Sequence, residues 1–195
     1  DIEETFALIQ KDNPSVLEIG CGNGRDATEI TNHTNNYLVI DISEKLIELA
    51  KQKVLNATFQ VADIENFIFP IGLDMVFAFA SLIHVPKEAM ARILTEARIA
   101  LNENGVIRLS MKGADTYSET TKEDEFGIRT YYLYSKEDIE EMISGFKIVK
   151  SELNDLRGQM WLEILLQKIR QNKNMSKSKL VFRQNVWRNS NGLRS

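Results

Sequence analysis

The stretch Val16-Leu17-Glu18-Ile19-Gly20-Cys21-Gly22-Asn23-Gly24 reads as a buried strand running into a glycine turn. Twenty-one residues beyond Gly20, Asp41 ends a second apolar run, Tyr37-Leu38-Val39-Ile40. Unbroken apolar runs of this kind belong to strands covered on both faces, the normal state of a parallel sheet. In open parallel sheets ligands settle outside the carboxyl ends of the strands. The turn and the acid therefore mark two sides of one candidate crevice.

Working outward, Asn23 to about Asn32 reads as a helix opened by the glycine turn. Ser43 caps the next helix, Glu44 sits at its positive end, and Ile47, Ala50 and Val54 form its inner face. Thr58–Ala62 is a third strand ending at Asp63, and Asp74–Phe79 a fourth. Pro86 suits the first turn of a helix whose stripe is Met90, Ile93, Leu94, Ala97 and Leu101. Asn104-Gly105 turns the chain into a strand over Val106–Met111, and the polar, aperiodic stretch Lys112–Gly127 reads as a mobile loop. Ser135 and Asp138 form a capping box ahead of Ile139, Met142 and Ile143. Phe146–Leu153 and Met160–Leu166 are joined by a short connector over Asp155–Gly158, which makes them an antiparallel pair.

Strand and helix alternate about five times before this terminal hairpin. The expected fold class is α/β: right-handed crossovers place helices on both faces of a mostly parallel sheet, a three-layer sandwich, and the hairpin adds a strand running against the others. At 195 residues the chain suits one domain with an appendage. Residues 1–168 form that body, and 169–195 read as a tethered basic tail. Seven of the 24 basic residues and none of the 28 acids lie from Ile169 onward, so the body carries 17 basic against 28 acidic side chains, a net of −11. An acidic body repels phosphate backbones, which disfavours nucleic acid as a partner. Phe182 and Trp187 interleave the tail's cations, the only pointer to RNA; the alternative is a basic extension lying against the acidic body. No apolar run reaches the roughly 18 residues of a membrane span. The opening Asp-Ile-Glu-Glu is no secretory signal, and it lacks an initiator Met, which leaves room for an upstream segment. A single cysteine, Cys21, allows no internal disulfide and suits a cytoplasmic protein.

Gly20, Gly22 and Gly24 alternate, but Arg25 stands where a dinucleotide fingerprint wants its last glycine. Alternating glycines preceded by the acid Glu18 suit a ligand with an amino-acid group and no phosphate. Turn amides serve its carboxylate, and the acidic surroundings favour its ammonium and sulfonium charges. Asp41 is placed to accept from both ribose hydroxyls, and Asp63 to bond an adenine amino group beside the Ile64 amide.

On these residues the chain resembles the class I S-adenosylmethionine (SAM)-dependent methyltransferases. Glu18–Gly24 looks like that family's first motif, Asp41 like its second-strand acid, Ala62-Asp63 like its adenine-site motif, and Phe79–His84 like the segment after its fourth strand. The likeness covers roughly residues 14–168. It implies a Rossmann-like, seven-stranded sheet with the last strand antiparallel, and SAM as cofactor. It would put Glu18, Gly20 and Gly22 against the methionine part, with Cys21 and Gly24 completing the turn. Asp41 and Ile42 would surround the ribose, Asp63 and Ile64 the adenine, and Ala80 and Ser81 would floor the site near the sulfonium. Arg25 and Asp26 extend the motif, or form an ion pair at a helix start. Only thirteen residues precede Pro14, so the lid that the resemblance implies on this side is expected to be short or removed.

Methyl transfer from a sulfonium needs an aligned acceptor and little water, and a general base only for an acceptor that carries a proton. His84, just beyond the fourth strand, is the candidate base, while His33 belongs to solvent. Tyr131 and Tyr132, with Tyr134, are candidates to close over the acceptor, and Arg129 to hold a carboxylate. No Asn/Asp-Pro-Pro-Tyr follows the fourth strand, and Cys21 belongs to the turn, which argues against base or amide N-methylation and cytosine-C5 chemistry. Two histidines and no second acidic cluster leave no expected metal site. The partner that remains is a small-molecule methyl acceptor. The rivals are an NAD(P)-linked oxidoreductase, disfavoured by Arg25 and the terminal hairpin, and a non-catalytic SAM-binding sensor.

Overall fold

The computed structural model describes residues 1–124 and 127–170. In chain order it contains α1 (Ile2–Phe6), β1 (Val16–Ile19), α2 (Arg25–Ile30), β2 (Tyr37–Asp41), α3 (Glu44–Lys53), β3 (Thr58–Val61) and β4 (Leu73–Phe79). A 3-10 turn over Leu82–His84 leads to α4 (Lys87–Ala100), β5 (Leu101–Lys112), β6 (Ser118–Asp124), β7 (Gly127–Leu133), α5 (Lys136–Met142), β8 (Phe146–Leu156) and β9 (Gln159–Lys168). Seven strands form one sheet in the order β3-β2-β1-β4-β5-β9-β8. β1 to β5 run parallel, and β9 runs antiparallel to both of its neighbours. The connections leave β1 in one direction and β4 in the other, so the chain reverses between these two strands. That switch point leaves a crevice above the carboxyl ends of the strands.

The sheet is covered on both faces. One face packs Leu17, Val76, Ile107 and Leu109 against Met90, Ile93, Leu94 and Ala97 of α4 and Ile139 of α5. The other packs Val16, Val39, Met75 and Val106 against Ile2 of α1, Ala27 and Ile30 of α2, and Ile47 and Ala50 of α3. Alternation along each strand explains the division, because successive side chains point to opposite faces. Ser43 caps α3 by accepting from the Leu46 amide at 3.3 Å, and Ser135 and Asp138 close the capping box on α5.

Two polar anchors tie the amino-terminal segment to the sheet. Asp74 accepts from the Ser15 amide at 2.8 Å, from Asn102 at 2.7 Å and from the Lys11 ammonium at 2.5 Å. Arg108, 1% exposed in mid-β5, pairs with Asp1 and Glu4 of the α1 region. A cation so buried demands such partners, since an unpaired charge there is strongly destabilising.

The stretch read as a mobile loop is instead largely a hairpin. β6 pairs antiparallel with β7 from Ser118↔Leu133 to Asp124↔Gly127. Ser118-Glu119-Thr120-Thr121-Lys122-Glu123 is polar on both faces and exposed, so it lacks the alternation by which a half-buried strand announces itself. Among the described residues, no helix is long and apolar enough to cross a membrane. The basic stretch with Phe182 and Trp187 lies outside the described residues.

Candidate active site

A cavity of about 520 Å³ lies across the carboxyl ends of β1 to β4. Its wall is built from successive strand tips: Gly20 and Gly22 after β1, Asp41 and Ile42 at β2, Asp63 and Ile64 after β3, and Ala80 and Ser81 after β4. His84 and Arg129 complete its rim. These ten positions, picked from the sequence, share one space. Ser43, Leu46 and Val85 also line it, and nothing in their residue type signalled that.

Glycine at position 20 is required by contact. Its φ is +74°, and a Cβ built there would fall 2.2 Å from the Ser81 Cβ. The first and fourth strand tips thus touch through a position with no side chain. Gly22, at φ +53°, is the opposite case, because a Cβ there would meet nothing within 4 Å. Its missing side chain leaves open space on the cavity side. Gly24 does not line the cavity; it caps α2 and backs onto Ala50 of α3, where a Cβ would sit 2.9 Å from the Ala50 Cα. Cys21 is likewise absent from the lining, buried on the α2–α3 side, with burial and the nearby Glu18 and Asp41 pushing its thiol up to about 12.

Asp41 holds the turn in shape. One carboxylate oxygen accepts from the Gly22 amide at 2.9 Å and the other from the Ser43 amide at 2.9 Å. A carboxylate offers about four lone-pair sites, so two remain for hydroxyl donors entering the cavity. Asp63 accepts from the Glu65 amide at 3.0 Å and from the Asn66 side chain at 3.2 Å, which fixes the β3 end. At Ala80 the backbone takes φ +51°, a left-handed conformation uncommon for a residue with a Cβ. Such strain concentrates at functional sites. The Ser81 hydroxyl is buried with no hydrogen-bond partner, an orphaned polar group at the centre of this wall.

Glu18 is not in that lining. It is 2% exposed and accepts a hydrogen bond from the Tyr37 hydroxyl on β2. Burial raises its carboxyl to about 7, against an ordinary 4.5, although the Tyr37 bond pulls the other way. The folded protein therefore keeps a proton on Glu18 that the unfolded chain releases above about 4.5. This contribution to stability is complete below that pH and is lost as pH rises to about 7, some 3 kcal/mol over the window. Glu18→Gln is expected to remove that share of the slope, read by urea unfolding at pH 5 and pH 7.5. An identical pH dependence in the variant would show that Glu18 titrates normally.

His84 Nδ1 lies 2.6 Å from the Thr130 carbonyl oxygen of β7. A carbonyl can only accept, so Nδ1 carries the hydrogen, and in the neutral ring Nε2 is left as the basic nitrogen. The ring also packs on Tyr131, with centroids 4.5 Å apart. Tyr131 is buried between His84 and the Lys112 ammonium, and Tyr132 stacks on Tyr117 on the opposite face of the hairpin. Neither ring lines the cavity. Arg25 and Asp26 form an ion pair at the start of α2, at 2.9 Å, and border a second cavity of about 560 Å³. That second space is acidic, with Asp26, Glu29 and Glu163 on its wall, and Ala80 borders both cavities. Among the described residues no group of three His, Cys, Asp or Glu side chains could hold a metal ion.

A family model described as a methyltransferase domain matches residues 16–105, the strand tips that build the cavity. Over those 90 residues, just under half of the chain, the sequence is similar to methyltransferase domains. The protein 235L of Invertebrate iridescent virus 6, which bears a methyltransferase name, is 35% identical to it over 72 residues. That match covers 36% of this chain and 27% of the viral protein, about a quarter of the relative's length. Among solved structures, a SAM-dependent methyltransferase of Methanosarcina mazei superposes with a TM-score of 0.72 at 18% identity, covering 85% of this chain and 96% of that one. The 1,6-didemethyltoxoflavin N1-methyltransferase of Burkholderia thailandensis superposes with a TM-score of 0.66 at 18% identity, covering 87% and 78%. At such identities these likenesses show the fold. The seven-stranded sheet with antiparallel β9 is the arrangement the resemblance implied. SAM, the cofactor that the resemblance implies, would fit the residues present: a side-chain-free bend at Gly22, a carboxylate with spare lone pairs at Asp41, and the buried Ser81 hydroxyl.

Proposed function

We propose that this methyltransferase domain transfers the methyl group of SAM to a small-molecule acceptor by in-line displacement, in the cytoplasm. The observation that carries this reading is the single cavity joining Gly20, Gly22, Asp41 and Asp63 to His84 and Arg129. Bound SAM supplies a methyl group on a sulfonium, and the electrons of the broken carbon–sulfur bond stay on sulfur. The chain's residues do the rest by position. Asp41 accepts from the ribose hydroxyls, and Asp63 with the Ile64 amide holds the adenine edge. Gly20 and Gly22 let the amino-acid portion pass over the turn toward Ala80. Beyond Ala80, Asp26, Glu29 and Glu163 favour a cationic group. His84 Nε2 takes the acceptor's proton as its oxygen, nitrogen or sulfur attacks. Arg129, on the rim, covers the acceptor and excludes water, the alignment that can supply roughly 7–11 kcal/mol. One structural neighbour is described with bound 1,6-didemethyltoxoflavin and S-adenosylhomocysteine (SAH), which supports an acceptor of that size.

Asp41→Ala is expected to weaken SAM binding by about 1–3 kcal/mol, since it removes the ribose acceptor and frees the Gly22 and Ser43 amides. Calorimetry of the two proteins checks this, and equal affinities would show that the carboxylate faces no ligand. The function itself is tested by incubating the protein with SAM and metabolite fractions and measuring SAH release. Release that depends on a fraction supports an enzyme; SAM binding with no release from any fraction would favour a sensor.

A further inference from the structure

We propose that the methyl acceptor carries a cationic nitrogen group remote from its reacting atom, and that Glu163 and Ser110 receive this group in the second cavity. The inference names the acceptor class for the SAM-dependent reading above and rests on it.

Phe79, Ser110 and Glu163 are register partners, one row across β4, β5 and β9. All three line the second cavity, as does Trp161, two residues before Glu163 and so on the same face of β9. Ser110 is 9% exposed, and its hydroxyl makes no hydrogen bond with any described residue. The Glu163 carboxylate accepts none either, and its buried Oε2 lies 4.0 Å from the Arg108 Nε. That separation is too long for a hydrogen bond, and Arg108 is already engaged by Asp1 and Glu4. By contrast, Asp41, Asp63 and Asp74 each accept two hydrogen bonds or more.

A carboxylate and a hydroxyl side by side without donors, on the wall of a cavity, are accounted for by a ligand that donates to both. A protonated nitrogen does so with charge-assisted hydrogen bonds, and its charge suits a lining that includes Phe79 and Trp161. The cations nearby are committed elsewhere. Arg25, on the same wall, is held by Asp26 at 2.9 Å, and Lys112 turns its ammonium to the Tyr131 ring at 3.7 Å.

The order of the strands puts this end on the acceptor's side. Asp63, Asp41 and Gly22 take the adenine, ribose and amino-acid parts of the cofactor at the tips of β3, β2 and β1. Asp26 and Glu29 stand on α2, just after the β1 turn, where they can serve the cofactor's ammonium. Glu163 is on β9, three strands from β1, roughly 14 Å at the usual spacing. Between them Ala80 borders both cavities, and its amide donates to the Ser110 carbonyl at 2.9 Å. In-line displacement needs the acceptor on the side of the methyl group away from sulfur, and beyond Ala80 that side is the row on β5 and β9. The cation is an anchor and not the nucleophile, because a protonated nitrogen has no lone pair to attack with.

Binding of benzylammonium and benzyl alcohol to the SAH-loaded protein, followed by NMR at constant ionic strength, tests this. Benzylammonium is expected to bind at least tenfold more tightly than the alcohol. Glu163→Gln should abolish the preference and leave SAH affinity within twofold. Ser110→Ala should reduce the preference two- to fivefold, and it covers the case of a Gln variant that does not fold. Benzylammonium that fails to bind, or binds no more tightly than benzyl alcohol, would overturn the proposal. So would a folded Glu163→Gln protein that keeps the preference, or one whose SAH affinity falls, because the acid would then serve the cofactor. Failure of the unmodified protein to bind SAH would instead count against the SAM-dependent reading.

Discussion

Gly20→Ala is expected to lower SAM affinity at least a hundredfold. Two costs combine at this residue. The left-handed backbone, φ +74°, costs about 1–2 kcal/mol once a Cβ is present. The new Cβ would lie 2.2 Å from that of Ser81, and relieving such an overlap costs typically 1–3 kcal/mol more. The relief has to come from moving β1's turn away from the β4 tip, which widens the floor of the cavity. Gly22→Ala is the control, because its Cβ meets no protein atom. That variant should lose SAM affinity with a smaller loss of stability. Thermal unfolding beside SAM titration separates the two, and a Gly20→Ala protein that binds SAM normally would refute the contact argument.

His84→Gln is expected to lower kcat by a factor of about 10² to 10⁴ with little change in SAM affinity, the range for loss of a general base. The reason is the orientation set by Thr130, which commits Nδ1 as donor and leaves Nε2 as acceptor. Glutamine keeps a polar group of similar reach but cannot take up a proton at neutral pH. Steady-state turnover beside SAM titration checks this. An unchanged kcat in the variant would assign the base elsewhere, or show an acceptor that arrives without a proton.

The parts of this site that were legible in the sequence are those that local chemistry dictates. Apolar runs located β1, β2 and β4, the spacing of Ser135 and Asp138 located α5, and the acids at strand ends located the crevice. Contacts between residues distant in sequence were not legible. Nothing in Gly20 alone announces Ser81, sixty-one residues away, as the reason for the missing side chain. Glu18, placed against the methionine part by the resemblance, is turned to Tyr37, because alternation along β1 points it to the α2–α3 face. β6 escaped because Ser118–Glu123 are polar and exposed, so that strand has no buried side to imprint a period. Lys112 and Arg108 did leave a trace, as charges set among Val106, Ile107, Leu109 and Met111. A cation in such a run must find a partner, and the sequence does not say where that partner lies.

A sulfonium nucleoside, and no dinucleotide, is expected to occupy the crevice above β1 to β4. Calorimetric titration of the unmodified protein with SAM, SAH and NADH tests it most directly. SAM and SAH should each bind at one site per chain, and NADH should give no heat of binding. Saturable binding of NADH with none of SAM would contradict the account.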